Sequence, residues 1–213
     1  DDKCPQHVLL GAPVSKIKKD TQYLCKINYA IHYRYDTKTA EYVVEHVTIE
    51  GTMGSVKRKD DFRPDPAIPA PHQSTLKDYA GNPYDRGHLA PAGNNTQNDQ
   101  IMSESFFLSN MVAQVANNNR GIWKQLETWE RDWAEKGGDW YVVSGGIFDP
   151  GYAVTGNGLG IPTRLYKVLH NRATNQTVAY IMPNTALPVA DLPRYQVRLE
   201  DVEQATGFQF PFR

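Results

Sequence analysis

The chain has 213 residues, 40% of which are apolar, and it carries a formal net charge of −1 at neutral pH. A chain of this size and apolar content can bury a core large enough for independent folding, so we expect one domain over residues 1–213. The near-zero charge excludes a basic field over the whole surface of the kind that many nucleic-acid-binding proteins use. No segment approaches the roughly 20 apolar residues that a membrane-spanning helix requires, so we expect no membrane partner.

The N-terminal segment contains the two cysteines of the sequence, Cys4 and Cys25. Their separation fits neither a zinc-binding motif nor a CxxC redox motif. From the residues alone two interpretations stay open. The thiols are free and buried, as in many cytosolic chains, or they form a disulfide that ties an arm of residues 1–25 to the first strand.

The first half of the chain indicates strands followed by a long loop. Alternating aromatic and β-branched residues from Tyr23 to Tyr35 predict a strand, and a turn at residues 36–39 leads to its hairpin partner at Glu41–Ile49. Residues 50–83 contain Gly, Pro and charged residues without a period, which predicts a long irregular loop that is either functional or mobile. A capping-box pattern at Thr96–Asp99 predicts a short helix.

The sequence Tyr84-Asp85-Arg86-Gly87-His88-Leu89-Ala90-Pro91 concentrates groups suited to phosphodiester cleavage. In an extended segment Arg86 and His88 point to one face and Asp85 to the other. A neutral His can take a proton from water near pH 7, and an Arg can hold a phosphate through two N–H bonds. Taken alone, the motif also fits a buried strand end with a satisfied His and a surface Arg.

A second cluster, at residues 117–133, has the period of an amphipathic helix that ends at Gly137 and Gly138. The apolar face recurs at i, i+4, i+7 and i+11: Ile122, Leu126, Trp129 and Trp133. A polar stripe has the same spacing: Arg120, Lys124, Glu127 and Arg131. Alone, this stripe fits a solvated face with i,i+4 ion pairs, and Asn119 fits a helix N-cap. An Asn carbonyl with a nearby Glu also suits Mg²⁺, a hard ion that keeps several waters.

Further along, Trp140–Ile147 and Thr177–Met182 are predicted to be buried strands, with a loop at residues 151–160 between them. With both polar clusters, the chain resembles the DNA/RNA non-specific endonuclease family, the endonuclease G-like ββα-metal nucleases. The resemblance extends over most of the length and is carried by several ordered segments: residues 57–63, 85–88, 107–114, 119–131, 143–148, 180–184 and 201–208. It implies an α/β (α+β) fold with a central, mostly antiparallel sheet flanked by helices and long loops.

The resemblance also implies a set of site residues. His88 matches the general base, and Asn119 matches the direct protein ligand of Mg²⁺, for which Mn²⁺ is an alternative. Glu127 matches a residue that holds the waters of the metal. Three arginines match groups that bind phosphate and stabilise the transition state: Arg58, Arg86 and Arg131. Asn110 matches a site residue near the base.

The activity that the resemblance implies is metal-dependent, sugar-non-specific endonuclease hydrolysis of DNA and RNA, single or double stranded, leaving 5′-phosphate ends. Two other interpretations are a catalytically silent nucleic-acid-binding relative and an extracellular protein-interaction module. A homodimer is a further expectation, whereas an inhibitor protein and the preference between DNA and RNA stay open.

The opening residues resemble the start of exported bacterial members of this family, in which disulfides persist. We therefore expect Cys4 and Cys25 to be bonded to each other. The chain starts at Asp1 without a Met or an apolar leader, as a mature form does after signal-peptide removal, although a trimmed chain would look the same. The expected location is periplasmic or secreted.

Overall fold

The structure, a computed structural model, describes residues 4–212. In this part of the chain the strands are β1 Val14–Ser15, β2 Thr21–Cys25, β3 Tyr29–Arg34, β4 Thr39–Val47, β5 Tyr84–His88, β6 Met111–Val115, β7 Trp140–Ile147, β8 Val154–Thr155, β9 Leu159–Gly160, β10 Arg164–Asn171, β11 Gln176–Pro183, β12 Gln196–Val197 and β13 Phe208–Gln209. The α-helices are α1 Ile49–Thr52, α2 Leu76–Tyr79, α3 Asp99–Glu104, α4 Lys124–Glu135 and α5 Leu199–Thr206. Among the described helices, none is both long and apolar enough to cross a bilayer.

A seven-stranded sheet forms the centre of the fold, in the order β12-β11-β10-β7-β4-β3-β2. All neighbouring strands in it run antiparallel. Strand β7 lies in the middle and is buried at every residue, as is typical of a strand that is covered on both faces. The predicted α+β class with an antiparallel central sheet is confirmed.

The sheet separates two apolar cores. Because side chains alternate along a strand, Val142 of β7 faces one core while its neighbours Tyr141 and Val143 face the other. Helix α4 covers the first core with Leu126, and α5 covers the second with Val202. The sheet therefore carries α4, which belongs to the candidate site, on one face.

The strand predictions hold in part. The hairpin of β3 and β4 and the strands β7 and β11 are confirmed. The single strand predicted from Tyr23 to Tyr35 is wrong, because the chain turns at Lys26, whose N–H donates to the carbonyl of Tyr29 at 2.9 Å. The result is two paired strands, β2 and β3. Strand β10, which lies between β7 and β11 in the sheet, was not predicted at all.

The helix near residue 100 exists as predicted, but with a different cap. Helix α3 starts at Asp99, and the side chain of Asn98 accepts the N–H of Ile101 at 2.9 Å. The predicted cap, Thr96, instead donates its hydroxyl to the carbonyl of Gly51 at 2.6 Å. The Thr96 hydroxyl, which the local pattern predicted as the helix cap, is thus engaged in a tertiary hydrogen bond instead.

A separate ββα unit carries the two polar clusters of the sequence. Strands β5 and β6 form an antiparallel pair outside the large sheet, with His88 opposite Met111. A π-helical turn at Asn118–Trp123 follows β6 and continues directly into α4. Short π segments occur frequently at functional sites, and this one contains Asn119. The helix ends after Glu135, as the glycines at 137 and 138 predicted.

Candidate active site

A cleft of about 890 Å³ lies between β5 and the helical segment of the ββα unit. Of the predicted site residues, the cleft brings together six: Arg58, Arg86, His88, Asn119, Glu127 and Arg131. Two further cationic residues and two further acidic ones also line it: Arg120, Lys124, Asp60 and Asp85. Cationic side chains thus outnumber acidic ones in the cleft, although the net charge of the whole chain is −1.

Strand β5 presents Arg86 and His88 to the cleft from the same face, as the alternation of side chains predicted. Gly87, between them, faces Gln114 of β6. A Cβ at position 87 would lie 2.0 Å from the Gln114 side-chain oxygen, so glycine permits this close pairing. His88 itself is buried, and its Nε2 has no hydrogen-bond partner in the described structure.

Two phenylalanines pack against His88 and against two arginines of the cleft. The His88 ring meets Phe106 edge to face at 4.9 Å between centroids and Phe62 at 5.8 Å. The guanidinium carbon of Arg86 lies 4.2 Å from the centroid of Phe62, and that of Arg58 lies 5.0 Å from Phe106. Aromatic faces attract such cations. Neither phenylalanine was predicted as a site residue; Phe62 is next to Arg63 in the sequence, whereas Phe106 has no basic neighbour that could have indicated it.

His88 is neutral in this environment. Burial lowers the pKa of its imidazole to about 3, and the positive charges of Arg58 and Arg86 add to the effect. A ring with this pKa is unprotonated at neutral pH and can accept a proton. Its position in the cleft beside Arg86 makes His88 the candidate general base.

Asn119 is oriented by strand β5. Its Nδ2 donates to Oδ2 of Asp85 at 2.9 Å, and Arg120 binds the same carboxylate through two N–H bonds. Burial raises the pKa of Asp85, but the bonds from Arg120 and Asn119 outweigh burial and lower it. A carboxylate only accepts, so the amide nitrogen must face Asp85. The Oδ1 of Asn119 is consequently left for the cleft.

Glu127 lies one helical turn beyond the first residue of α4, on the side that lines the cleft. Burial raises the pKa of its carboxyl to about 7, with Lys167 and Arg131 opposing and Glu130 adding to the rise. A cation beside this carboxyl would favour its ionised form. An amide oxygen and a carboxylate are the donors that a hard divalent ion prefers, so Asn119 and Glu127 fit such an ion.

Arg131 reaches the cleft across a glycine. A Cβ at Gly93 would lie 3.0 Å from a terminal nitrogen of Arg131, so the guanidinium rests against the Gly93 backbone. The other terminal nitrogen donates to the Thr128 hydroxyl at 3.3 Å. No carboxylate within the described residues forms an ion pair with Arg131, which leaves its charge available to a phosphate.

A buried polar network lies beneath the cleft. Lys167 of β10 contacts Glu130 of α4 at 2.5 Å and lies 5.2 Å from the ring centroid of Trp123. Asn94, in the turn after β5, donates to both Glu130 and Glu45 of β4. Burial, followed by the Glu130 charge, raises the pKa of Glu45. The network connects α4 to the sheet and to the chain that follows His88, and its members lie too far apart in sequence to form a local pattern.

Asn110 does not line the cleft, unlike the other predicted site residues. It is fully buried and braces the chain just after the base. Its Oδ1 accepts the N–H of Ala90, and its Nδ2 donates to the carbonyls of Ala90 and Ser105, each at 2.9 Å. The backbone carbonyl of Asn110 also accepts the N–H of Leu89. The geometry therefore makes Asn110 a positioning residue for the strand that carries His88.

The acidic residues of the Pro-rich loop are neutralised by basic partners. The pairs are Asp60 with Arg58 at 2.6 Å, Asp61 with Arg63 at 3.1 Å and Asp65 with Lys26 at 2.7 Å. Asp65 is buried and does not line the cleft, whereas Asp60 does. These carboxylates consequently do not converge on one cation.

Known proteins resemble the chain over most of its length. Nuclease EXOG, mitochondrial, of Xenopus laevis is 37% identical in an alignment 202 residues long that covers 86% of this chain and 56% of the relative. Endonuclease G, mitochondrial, of Homo sapiens is 34% identical in an alignment 199 residues long that covers 86% of this chain and 67% of the relative. The chain spans only 55% to 59% of the EXOG relatives from four vertebrates.

A solved structure of an EndoG/EndoGI complex, whose title concerns the mechanism of EndoG inhibition, has a similar fold. It matches with a TM-score of 0.87 and 28% sequence identity, and the match covers 99% of this chain and 92% of that one. The model of the DNA/RNA non-specific endonuclease family matches residues 9–212. The chain therefore belongs to the DNA/RNA non-specific endonuclease family.

Proposed function

We propose that the chain is a metal-dependent endonuclease that hydrolyses phosphodiester bonds in DNA and RNA. The observation that carries the proposal is the neutral, buried His88, which lines one cleft with Arg86 and Asn119. A base, a phosphate-binding cation and an oxygen ligand for a metal are the groups that such hydrolysis needs. Membership of a nuclease family supports the same activity.

In the proposed reaction, the imidazole of His88 takes a proton from a water molecule as the water oxygen attacks phosphorus. The new P–O bond forms in line with the P–O3′ bond that breaks, which leaves a 5′-phosphate on one product and a 3′-hydroxyl on the other. The freed 3′ oxygen takes its proton from solvent. Arg86, Arg58 and Arg131 bind the non-bridging oxygens, whose negative charge grows in the transition state.

Asn119 would hold the metal directly through Oδ1, and Glu127 would hold it through water. A divalent cation held there would supply Lewis-acid stabilisation of the negative charge that develops on the substrate. The family is metal-dependent, and we propose Mg²⁺, with Mn²⁺ as the alternative, because both suit oxygen donors. Asp85 keeps the amide of Asn119 turned for this purpose.

The proposed substrates are DNA and RNA strands, single or double, bound mainly through phosphate. Phosphate contacts carry no base sequence, so we expect low sequence preference. A homodimer stays a prediction. Because the similar EndoG structure is of a complex with EndoGI, a protein inhibitor of this chain is a partner worth testing. The Cys4–Cys25 disulfide supports a periplasmic or secreted location.

The test is nicking of supercoiled plasmid with Mg²⁺ and with EDTA. We expect nicking that EDTA abolishes, and a loss of roughly 10²- to 10⁴-fold in His88→Ala, the usual effect of removing a general base. His46→Gln, a half-exposed histidine that does not line the cleft, is the matched control and should nick normally. Retention of near-normal nicking by His88→Ala would remove His88 from the mechanism.

The same assay separates the two alternatives. A catalytically silent relative would shift the plasmid in a gel without nicking it. A protein-interaction module would neither shift nor nick it.

A further inference from the structure

One wall of the cleft is apolar. Leu76, Tyr79, Ala80 and Tyr84, here called the apolar ledge, line the cleft together with the arginines. Leu76 is 44% exposed and presents apolar surface in a cleft that is otherwise lined by many charged residues. Tyr84 is half-buried and packs against the small core that contains the buried Tyr79. The mechanism proposed above uses none of these side chains.

The ledge is held rigidly by buried polar contacts. Asp78 is 1% exposed, and its Oδ2 accepts the N–H of Thr75 at 2.7 Å, which caps α2. Its Oδ1 accepts the N–H of Asn157 at 2.7 Å, so the β8–β9 hairpin braces the same helix. Asn82 donates to the carbonyl of Asp78 and accepts the N–H of Tyr84. An exposed apolar surface that the fold fixes in this way is suited to binding.

The ledge lies next to the phosphate-binding side chains. Tyr84, Arg86 and His88 alternate along β5, so all three face the cleft. At ~3.3 Å per residue, Tyr84 lies about 7 Å from Arg86 and about 13 Å from His88 along the strand. The ledge therefore continues the cleft outward from Arg86, away from the base.

We propose that the apolar ledge binds an unpaired nucleobase of the substrate strand, next to the phosphate that is cleaved, and thereby favours single-stranded over duplex nucleic acid. This inference rests on the proposed function. A nucleotide is charged at its phosphate and flat and apolar on its base, which matches Arg86 beside Tyr84 and Leu76. In a duplex the base faces are stacked on each other, so only an unpaired base offers its face to a side chain.

The test compares cleavage of a single-stranded oligonucleotide with cleavage of its duplex. Tyr84→Ala and Leu76→Ala should each lower kcat/KM on the single strand roughly tenfold, the size of effect expected when one base loses its stacking partner. Cleavage of the duplex should change less than about twofold, so both variants should prefer the single strand over the duplex less strongly than the wild type does. Tyr84→Phe keeps the ring and should behave as the wild type.

A matched control distinguishes an effect of the ledge from the general effect of removing an exposed apolar side chain. Ile27 has the same exposed fraction as Leu76, 44%, but lies outside the cleft, and Ile27→Ala should leave both rates unchanged. Because Leu76 is exposed, its variant should fold even where Tyr84→Ala does not. Equal losses on single strand and duplex, or no loss on either, would overturn the proposal.

Binding to a cleavage-deficient protein keeps this proposal distinct from the proposed function. In a His88→Ala background, fluorescence anisotropy measures the affinity for a single strand of a few nucleotides, too short to bind in a second register, and for the same strand with one abasic site moved along it. We expect one abasic position to weaken binding roughly tenfold, and Leu76→Ala to remove that difference. Affinity that does not depend on the abasic position contradicts the ledge proposal. Failure of wild-type nicking contradicts only the proposed function.

Discussion

His88 is buried in its neutral form beside Arg58 and Arg86, and this links the stability of the fold to pH. The pKa of its imidazole is about 3 in the folded chain, against an ordinary value of 6.5. Below pH 6.5 the unfolded chain binds a proton that the folded chain does not. The contribution of His88 is thus fully present above pH 6.5 and is lost as the pH falls from 6.5 towards 3.

Replacing His88 by Gln should therefore make folding stability less sensitive to acid. Between pH 7 and pH 4, the wild type should lose about 3 kcal/mol more of its free energy of unfolding than His88→Gln does, at 1.36 kcal/mol per pKa unit. Urea unfolding of both proteins at the two pH values measures the difference. Parallel losses would mean that the folded His88 protonates as readily as a free histidine.

Strand β5 and the π-helical turn are joined by the hydrogen bond between Asp85 and Asn119. In Asp85→Asn the carboxylate that fixes the Asn119 amide is lost. We expect the Mg²⁺ concentration for half-maximal rate to rise roughly 10- to 100-fold, as is typical when a residue that orients a metal ligand is removed. Asn119→Ala should abolish most Mg²⁺-dependent activity, and Glu127→Ala should also raise the Mg²⁺ requirement.

Arg120→Gln is the matched control for this contact. It removes the ion pair with Asp85 but keeps the bond from Asp85 to Asn119, so its Mg²⁺ dependence should stay near that of the wild type. Mg²⁺ titrations of the rate for all four variants provide the comparison. Metal curves that are unchanged in Asn119→Ala and Glu127→Ala would place the cation elsewhere.

Elements with a strong local period could be predicted from the sequence. An apolar stripe runs from the π-helical turn into α4, with Ile122 and Leu126 fully buried. This stripe and the alternation that turns Arg86 and His88 to one face of β5 both depend on local geometry alone. The family resemblance added Arg58, which lies about 30 residues before His88 and reaches it only in the folded chain. No local pattern links these two positions.

What could not be predicted depends on contacts distant in sequence. Strand β10 contains Lys167, a charge at odds with a buried strand until Glu130 of α4 neutralises it. Thr96 and Asn98 compete as caps of α3, and the contact of Thr96 with Gly51 decides between them. Phe62 and Phe106 surround His88 because a bridge between Arg63 and Phe107 joins two loops.

At the scale of the whole molecule, the N-terminal arm is joined to the sheet by a covalent bond. Cys4 and Cys25 form a disulfide with 5.5 Å between their Cα atoms, at the end of β2. The arm also contacts the sheet through Val8, which belongs to the core covered by α5. Neither cysteine lines the cleft, so we expect stability and catalysis to be separable here. That residues 1–213 form a single domain stays a prediction.

Removing the disulfide should accordingly lower stability and leave the chemistry unchanged. The bond closes a loop of 21 residues in sequence separation, for which chain entropy gives roughly 3 kcal/mol. Cys4→Ser combined with Cys25→Ser should lower the free energy of unfolding by about that amount, measured in urea without reductant, whereas the Mg²⁺ dependence of nicking should match the wild type. Treating the wild type with reductant should reproduce the loss and serves as the control.

Thiol titration of the purified wild type, denatured and without reductant, tests the premise of this prediction. A bonded pair gives no free thiol, and the double variant gives none in either state, so only reduction of the wild type should release two. Two free thiols before reduction would contradict the disulfide. They would also remove the main support for a periplasmic or secreted location, because the bond persists in oxidising compartments and is rare in reducing ones.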